Sequence, residues 1–370
     1  MSILTIMEWP ISTPGGPIGL AVDGENRAYF SGGGFIGRID PSTNVLSTWK
    51  LPSWSNGPWA LAVATDGSVF FNEFVNYLCR FEPESGRLTR WDVSAFSTNV
   101  IEIALPAGPP RGVWCTLSGY QVGRLNILNG RLEIFNTPSG PSALAIDQTG
   151  MVWMGAQYEI MRLNPATRQL VRYANASPPG GPAPNAFFSN FGLKVDSKGR
   201  VLYTGSWTNY VGRLDPGKAT VTEFLVPTPM AVPMGLTSDF WFTEALGNKI
   251  AVLTLPAEAG SKITGFTPAA EVESRPVRAQ KWTIPGSTGK APAQRFQLKQ
   301  DDTVVIPQTG VTVGAVTGPF EEFPIPTPDS RPVDIAMAKK GVFFTEQFLP
   351  PPPGLGGPGV GGNKIGLLAP

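Results

Sequence analysis

Not one of the 370 residues is histidine. That removes the side chain that most often acts as a general base near neutral pH and most often ligates metals. Ser-His-Asp, Cys-His and Glu-His constellations are excluded with it. Cysteine is almost as scarce. Cys79 and Cys115 are too few for a disulfide framework and are expected as small buried hydrophobes. Charged residues make up only 15% of the chain and are balanced, 29 basic against 28 acidic, so neither nucleic acid nor an acidic membrane is expected as a partner. No run approaches the roughly 18 apolar residues that span a bilayer. Residues 1–11 have no basic leader region, and Glu8 and Pro10 interrupt their apolar stretch. No signal peptide is expected, which points to a protein that stays in the cytoplasm or is assembled into a particle. Amphipathic helical patterns of roughly 10–15 residues are also missing.

Glycine (43) and proline (38) are abundant instead, and 42% of residues are hydrophobic, a composition that favours many tight turns around a large core. The same sentence recurs along the chain. Glu8-Trp9-Pro10-Ile11-Ser12-Thr13-Pro14, Glu223-Phe224-Leu225-Val226-Pro227-Thr228-Pro229 and Glu322-Phe323-Pro324-Ile325-Pro326-Thr327-Pro328 each end in a Thr-Pro break. A short apolar run follows each break, then a turn such as Asp23-Gly24 or Lys340-Gly341, where glycine accepts positive φ without steric cost. Next come an aromatic strand, a second turn, and a strand typified by Ile36-Gly37-Arg38-Ile39-Asp40. The central position of that strand falls at Gly37, Cys79, Gly123, Met161, Gly212, Ala251 and Gly366. Its intervals are 42, 44, 38, 51, 39 and 115 residues, the last stretched by two insertions. Seven units of four short strands predict an all-β fold, a single seven-bladed β-propeller over residues 1–370 with antiparallel four-stranded blades. The chain opens on an outer strand and ends on a third strand, so the N-terminal strand is expected to complete blade seven.

The units Trp241-Phe242-Thr243-Glu244-Ala245-Leu246-Gly247-Asn248-Lys249-Ile250 and Phe343-Phe344-Thr345-Glu346, resumed at Asn363-Lys364-Ile365-Gly366, resemble the repeat of the streptogramin B (virginiamycin B) lyases. So does the Glu-Phe-x-x-Pro-Thr-Pro run. The resemblance implies seven blades. For the family's enzymes it also implies opening of the lactone of a cyclic depsipeptide by elimination, with a divalent metal, acidic residues and a catalytic histidine. The acidic position after the aromatic-Thr pair is read as Glu73, Glu244 and Glu346, and as Gly32, Thr116, Gly155 and Gly205 in the other blades. Glu244 and Glu346, in neighbouring blades, are the candidate Mg²⁺ ligands; the competing reading is that these glutamates hold backbone N–H groups in the turn. With histidine absent, no catalytic residue is assigned.

Turns between second and third strands open on the same end of a propeller as the links between blades. They carry Phe35, Phe74, Tyr120, Tyr158, Trp207, Leu246 and Phe348, and the links add Trp54, Trp59, Phe187, Phe188 and Phe191. Trp54, Phe74, Tyr120, Tyr158, Trp207 and Phe348 are the candidate partner-binding residues, since an aromatic ring around one mouth makes a contact surface. Residues 257–319, between the third and fourth strands of blade six, predict a β arm or subdomain with strands from Ala279 to Ile284 and Arg295 to Ile306 joined by a Pro-Gly-Ser-Thr-Gly-Lys loop. Residues 349–362 form a Pro/Gly-rich loop in blade seven. The expected function is a non-catalytic protein-interaction or assembly module without cofactor, engaging a protein partner or further copies of itself, such as a structural subunit of a virion or surface appendage. The alternative is a Mg²⁺-dependent lyase acting on streptogramin B-type depsipeptides.

Overall fold

The computed structural model describes the chain apart from residues 1–2, 12–15, 53–57, 74–75, 96–98, 157–158, 175–191, 207, 255–272, 277–278, 284–285, 291–292, 298–299, 306–308, 315–319, 348–362 and 370. The described residues form seven antiparallel sheets. Blade one runs outward from the axis as Pro17–Val22, Ala28–Gly32, Phe35–Asp40 and Val45–Lys50. Blades two to five repeat this order over residues 58–92, 100–136, 141–174 and 193–225. Blade six consists of residues 233–253 plus its outer strand Phe320–Pro324. Blade seven takes its first three strands from residues 332–346 and 364–369 and its fourth from the N-terminal strand Ile3–Pro10, which pairs Trp9 with Ile365 and Glu8 with Gly366. The expected ring closure is therefore present. No described helix is long and apolar enough to cross a membrane.

The repeating central position of the third strand has a packing cause. Gly37 lies opposite Phe30, Gly212 opposite Tyr203 and Gly366 opposite Phe344. A methyl group added at Gly366 would lie 2.0 Å from the Phe344 ring, so the glycine leaves room for an aromatic side chain lying across the strand. Cys79 and Ala251 fill the same place in blades two and six, opposite Phe71 and Phe242. The blades pack face to face through shared apolar clusters, for example Trp49, Phe71 and Phe81 between blades one and two.

A polar column stitches the blades together. In six blades an N–H in or just before the inner strand is accepted by a second-strand side chain: Gly19 by Ser31, Ala60 by Asn72, Glu102 by Thr116, Gly192 by Thr204, Gly235 by Thr243 and Asp334 by Thr345, at 2.7–3.0 Å. Several of these side chains then donate to the next blade. Thr204 reaches Met234 O, Thr243 reaches Val333 O, Thr345 reaches Ile18 O and Asn72 reaches Val100 O. Blade four has Gly155 at this place and lacks the side chain. The register also moves the acidic column by one residue in two blades. Leu117 and Ala156, not Thr116 and Gly155, are the counterparts of Glu244, because they pair with the first residue of the third strand as Glu244 pairs with Lys249.

The described strands of the blade-six insertion pair with none of one another. Each adds a fifth strand to a different blade: Glu273–Pro276 to blade five, Ala279–Thr283 to four, Gly286–Lys290 to three, Ala293–Gln297 to two, Gln300–Val305 to one and Thr309–Gly314 to seven. The chain then returns to blade six as its outer strand. The stretch read as a joining loop, Gly286–Lys290, is itself a strand, because the free edge of Arg131–Asn136 supplies backbone partners that override the weak β-preference of glycine. All six strands are antiparallel to outer strands that share one direction, so they run in one sense, end to end. Successive starts are separated by 6, 7, 7, 7 and 9 residues. At about 3.3 Å per residue, seven residues advance the chain about 23 Å. This segment is a belt around the rim, and its last strand covers the far edge of Ile3–Pro10, placing the N-terminal strand between two partners.

Candidate functional site

Blades six and seven contain the same four-residue cluster. In blade six, Glu244 ends the second strand and faces Lys249 across the ladder. Lys249 Nζ donates to Glu322 Oε2 at 2.6 Å and to Thr228 Oγ1 at 2.7 Å, and Thr228 donates to Glu322 Oε1 at 3.0 Å. In blade seven, Glu346 faces Lys364, which donates to Glu8 at 2.7 Å and Thr327 at 2.6 Å, while Thr327 donates to Glu8 at 2.9 Å. Each threonine belongs to the Thr-Pro run arriving from the preceding blade, which explains why that run recurs.

Glu244 and Glu346 are 0% exposed, and neither carboxyl accepts a hydrogen bond from a backbone N–H. The turn-capping role is thus not what the structure has. Burial, with the nearby Glu322 charge, pushes Glu244 up to about 7. Burial, with Glu8, pushes Glu346 up to about 9. Each cluster therefore holds one lysine and one glutamate as an ion pair beside a second carboxyl whose protonated form burial favours, more strongly at Glu346 than at Glu244. The backbone packs over Glu244: a methyl group at Gly247 would fall 2.5 Å from Oε2. The third glutamate, Glu73, is also buried, but its charge is met by Arg90 at 2.8 Å. Cys79 donates to it at 3.5 Å. Among the described residues, no group of three or more acidic or thiol side chains gathers as a metal site. Both cysteines are buried and free, and burial raises Cys115 to about 12.

The asparagine of the Asn-Lys pair has a job that sequence reading did not assign. Asn248, at φ 54°, donates to Ile325 O and Thr327 O and accepts from Ser330 N. Asn209, at φ 61°, does the same for Val226 O, Thr228 O and Ala231 N, and Asn363 donates to Ile11 O. These residues fix the links between blades, and their recurrence before the third strand was the available signal.

Of the candidate contact residues, Tyr120 is at the surface, 60% exposed, at φ 62° on its turn. Leu246 is 55% exposed on the same end. Phe35 turns inward: it is 4% exposed and packs edge-on against Phe30 at 5.9 Å, so it presents no contact surface. Trp59 is half-buried and lines the axial cavity. Trp54, Phe74, Tyr158, Trp207, Phe348, Phe187, Phe188 and Phe191 lie outside the described residues, as does the 349–362 loop.

Along the axis, the inner strands of all seven blades enclose a cavity of about 530 Å³. It is lined mostly by small and aliphatic residues, with Trp59 and two methionines among them, and holds three charged side chains, Glu102, Lys194 and Asp334.

No protein-family model matches the chain, and no curated protein matches it in sequence. Solved structures do. Virginiamycin B lyase from Staphylococcus aureus superposes with a TM-score of 0.68 at 18% identity, over 100% of both chains. A streptogramin B lyase gives 0.65 at 18% identity, over 99% of this chain and 97% of that one. The likeness is one of fold. A catalytically inactive histidine-to-alanine variant of the staphylococcal enzyme, solved with quinupristin, superposes at 0.67 with 18% identity and 99% coverage of each chain. All three share the seven-bladed ring with this protein, and at this identity the ring is what the similarity carries.

Proposed function

We propose that this chain is a non-catalytic propeller that acts as a protein-interaction or assembly module, a structural subunit of a larger particle such as a virion or surface appendage. What supports this reading is that the residues resembling the lyase repeat are absorbed into joints. The threonines sew blade to blade, the asparagines fix the links, and Glu244 and Glu346 lie buried in separate clusters that each already contain an ammonium group. A hard divalent cation takes several oxygen ligands at once. Two carboxyls in different blades, each beside a lysine and closed over by packing, fit such an ion poorly. In the staphylococcal enzyme a single histidine replacement gives a catalytically inactive protein; this chain has no histidine to offer. That leaves the face carrying Tyr120 and Leu246 as the working surface, toward a protein partner or another copy of the chain.

Two measurements test the proposal. Light scattering and electron microscopy of purified protein are expected to show a defined oligomer that Tyr120→Asp and Leu246→Asp dissolve. Incubation with a streptogramin B and Mg²⁺ is expected to leave the antibiotic unchanged by mass spectrometry. A strictly monomeric protein that linearises the antibiotic, and loses that activity in Glu244→Gln, would overturn the reading.

A further inference from the structure

Aligned on the buried aliphatic residue of the inner strand (Leu20 in blade one, Leu193 in blade five, Ile335 in blade seven), the flanking positions follow a rule. The residue before it is Gly or Ala in five blades, and the exceptions are Glu102 in blade three and Asp334 in blade seven. The residue after it is Ala in five blades, with Thr237 in blade six and Lys194 in blade five. Small residues keep the axis open, so the three charges stand alone in an otherwise uniform wall. They feel one another across the cavity: Lys194 acts on both Glu102 and Asp334.

Their hydrogen bonds are not equivalent. Asp334 accepts Leu20 N at 2.8 Å with one oxygen and Ile335 N at 2.9 Å with the other, which ties blade seven to blade one. Glu102 accepts Ile103 N at 2.9 Å through Oε1, leaving Oε2 without a hydrogen bond among the described residues. Lys194, exposed within the cavity, makes no hydrogen bond or ion pair to any described residue. A carboxylate and an ammonium that share a cavity without touching leave a gap that a ligand bearing the opposite pair would fill. A cavity of about 530 Å³ with aliphatic walls and two convergent polar groups has the proportions of a small-molecule site.

We propose that the axial cavity binds a small zwitterion, a free α-amino acid with an apolar side chain, whose ammonium pairs with Glu102 and whose carboxylate pairs with Lys194. Two carboxylates facing the cavity disfavour a simple anion. Lys194 disfavours a simple cation. The Gly and Ala positions leave room for an aliphatic side chain between the two poles. Burial pushes Glu102 up to about 7, and an arriving ammonium favours its ionised form. This site is separate from the face invoked for assembly, and either can fail without the other.

The test is isothermal titration calorimetry of the full-length protein with leucine, valine and glycine, and with isobutylamine and isovalerate as single-charge controls. Leucine is expected to bind, with each control weaker by about tenfold or more. Lys194→Met and Glu102→Gln are each expected to weaken leucine binding by about tenfold or more, with unchanged circular dichroism. Ala62→Leu, which fills the cavity without altering charge, is expected to abolish binding and serves if a charge variant misfolds. Folded wild-type protein that gives no heat with any zwitterion up to about 10 mM overturns the proposal, as does a leucine affinity unchanged in Ala62→Leu or equal affinity for an amine alone.

Discussion

Within a blade, side chains tell each strand where to sit: aromatic rings lie over small third-strand residues, threonines bridge to the next blade, and Lys-Glu-Thr clusters close the ends. The belt has little of that information in its sequence. Gly286-Ser287-Thr288-Gly289-Lys290 would not be chosen as a strand, yet all five residues pair in unbroken register with Arg131 to Phe135. Its place is set by the free backbone edges that the blades present. Blades can be written before the ring exists, whereas the belt has meaning only after it does.

Several perturbations would break or sharpen this contrast. The largest effect is expected at the N-terminal strand, which belongs to the ring itself. Deleting residues 1–11 should prevent closure, and Trp9→Ala, at a fully buried site packed on Phe343, should cost about 3–5 kcal/mol in urea unfolding. Replacing residues 255–319 by a short turn is expected to be milder. Far-ultraviolet circular dichroism should keep its β signature while melting falls and light scattering reports association through uncovered edges. Failure of this shortened chain to fold would make the belt a partner in the ring rather than its wrapping. Next comes Thr345→Val, which removes a bridge between blades seven and one and should cost about 1–3 kcal/mol by the same unfolding assay.

A pH series probes the clusters. Glu346 goes from an ordinary 4.5 to about 9 and Glu244 to about 7 on folding, so the folded state holds protons that the unfolded chain releases. Their favourable contribution is complete below about pH 4.5 and is lost progressively as pH rises through 7 and toward 9. Stability should therefore fall across that window in guanidinium titrations, and the Glu244→Gln/Glu346→Gln double variant should show a flatter profile. The smallest effect is expected at Tyr120. With φ at 62° and its side chain exposed, Tyr120→Gly should gain about 0.5–1 kcal/mol if the turn geometry alone matters.

The ring was legible because its period is long and its punctuation repeats. The Gly37 column, the Thr-Pro breaks and the unpaired N-terminal strand fixed the blade count and the closure. The belt was not legible, since its partners lie up to three hundred residues away, as in Glu8 with Thr309, and backbone pairing leaves no residue signature. A faint sign existed in the sequence itself: Pro285 and Pro292 are seven residues apart, the same spacing as the strand starts at Gly286, Ala293 and Gln300. In the candidate sites, Glu244 and Glu346 stood out in sequence, but Lys249, Lys364, Glu322 and Glu8 did not, because they gather from different strands. Glu102, Lys194 and Asp334 were hidden for a simpler reason: each is one charged residue in its own blade, and only superposing the blades shows them as departures from a rule.

The belt leaves blade six and returns to it after visiting each of the other six blades once. Its length is therefore a ruler for the circumference. A duplication that inserted an eighth blade would leave one rim bare unless a further heptad appeared some distance away in the same gene, and loss of a blade would leave slack to be looped out. Propellers without such a girdle can change their number of blades by one local event. Here the number is written twice, and the two records have to change together.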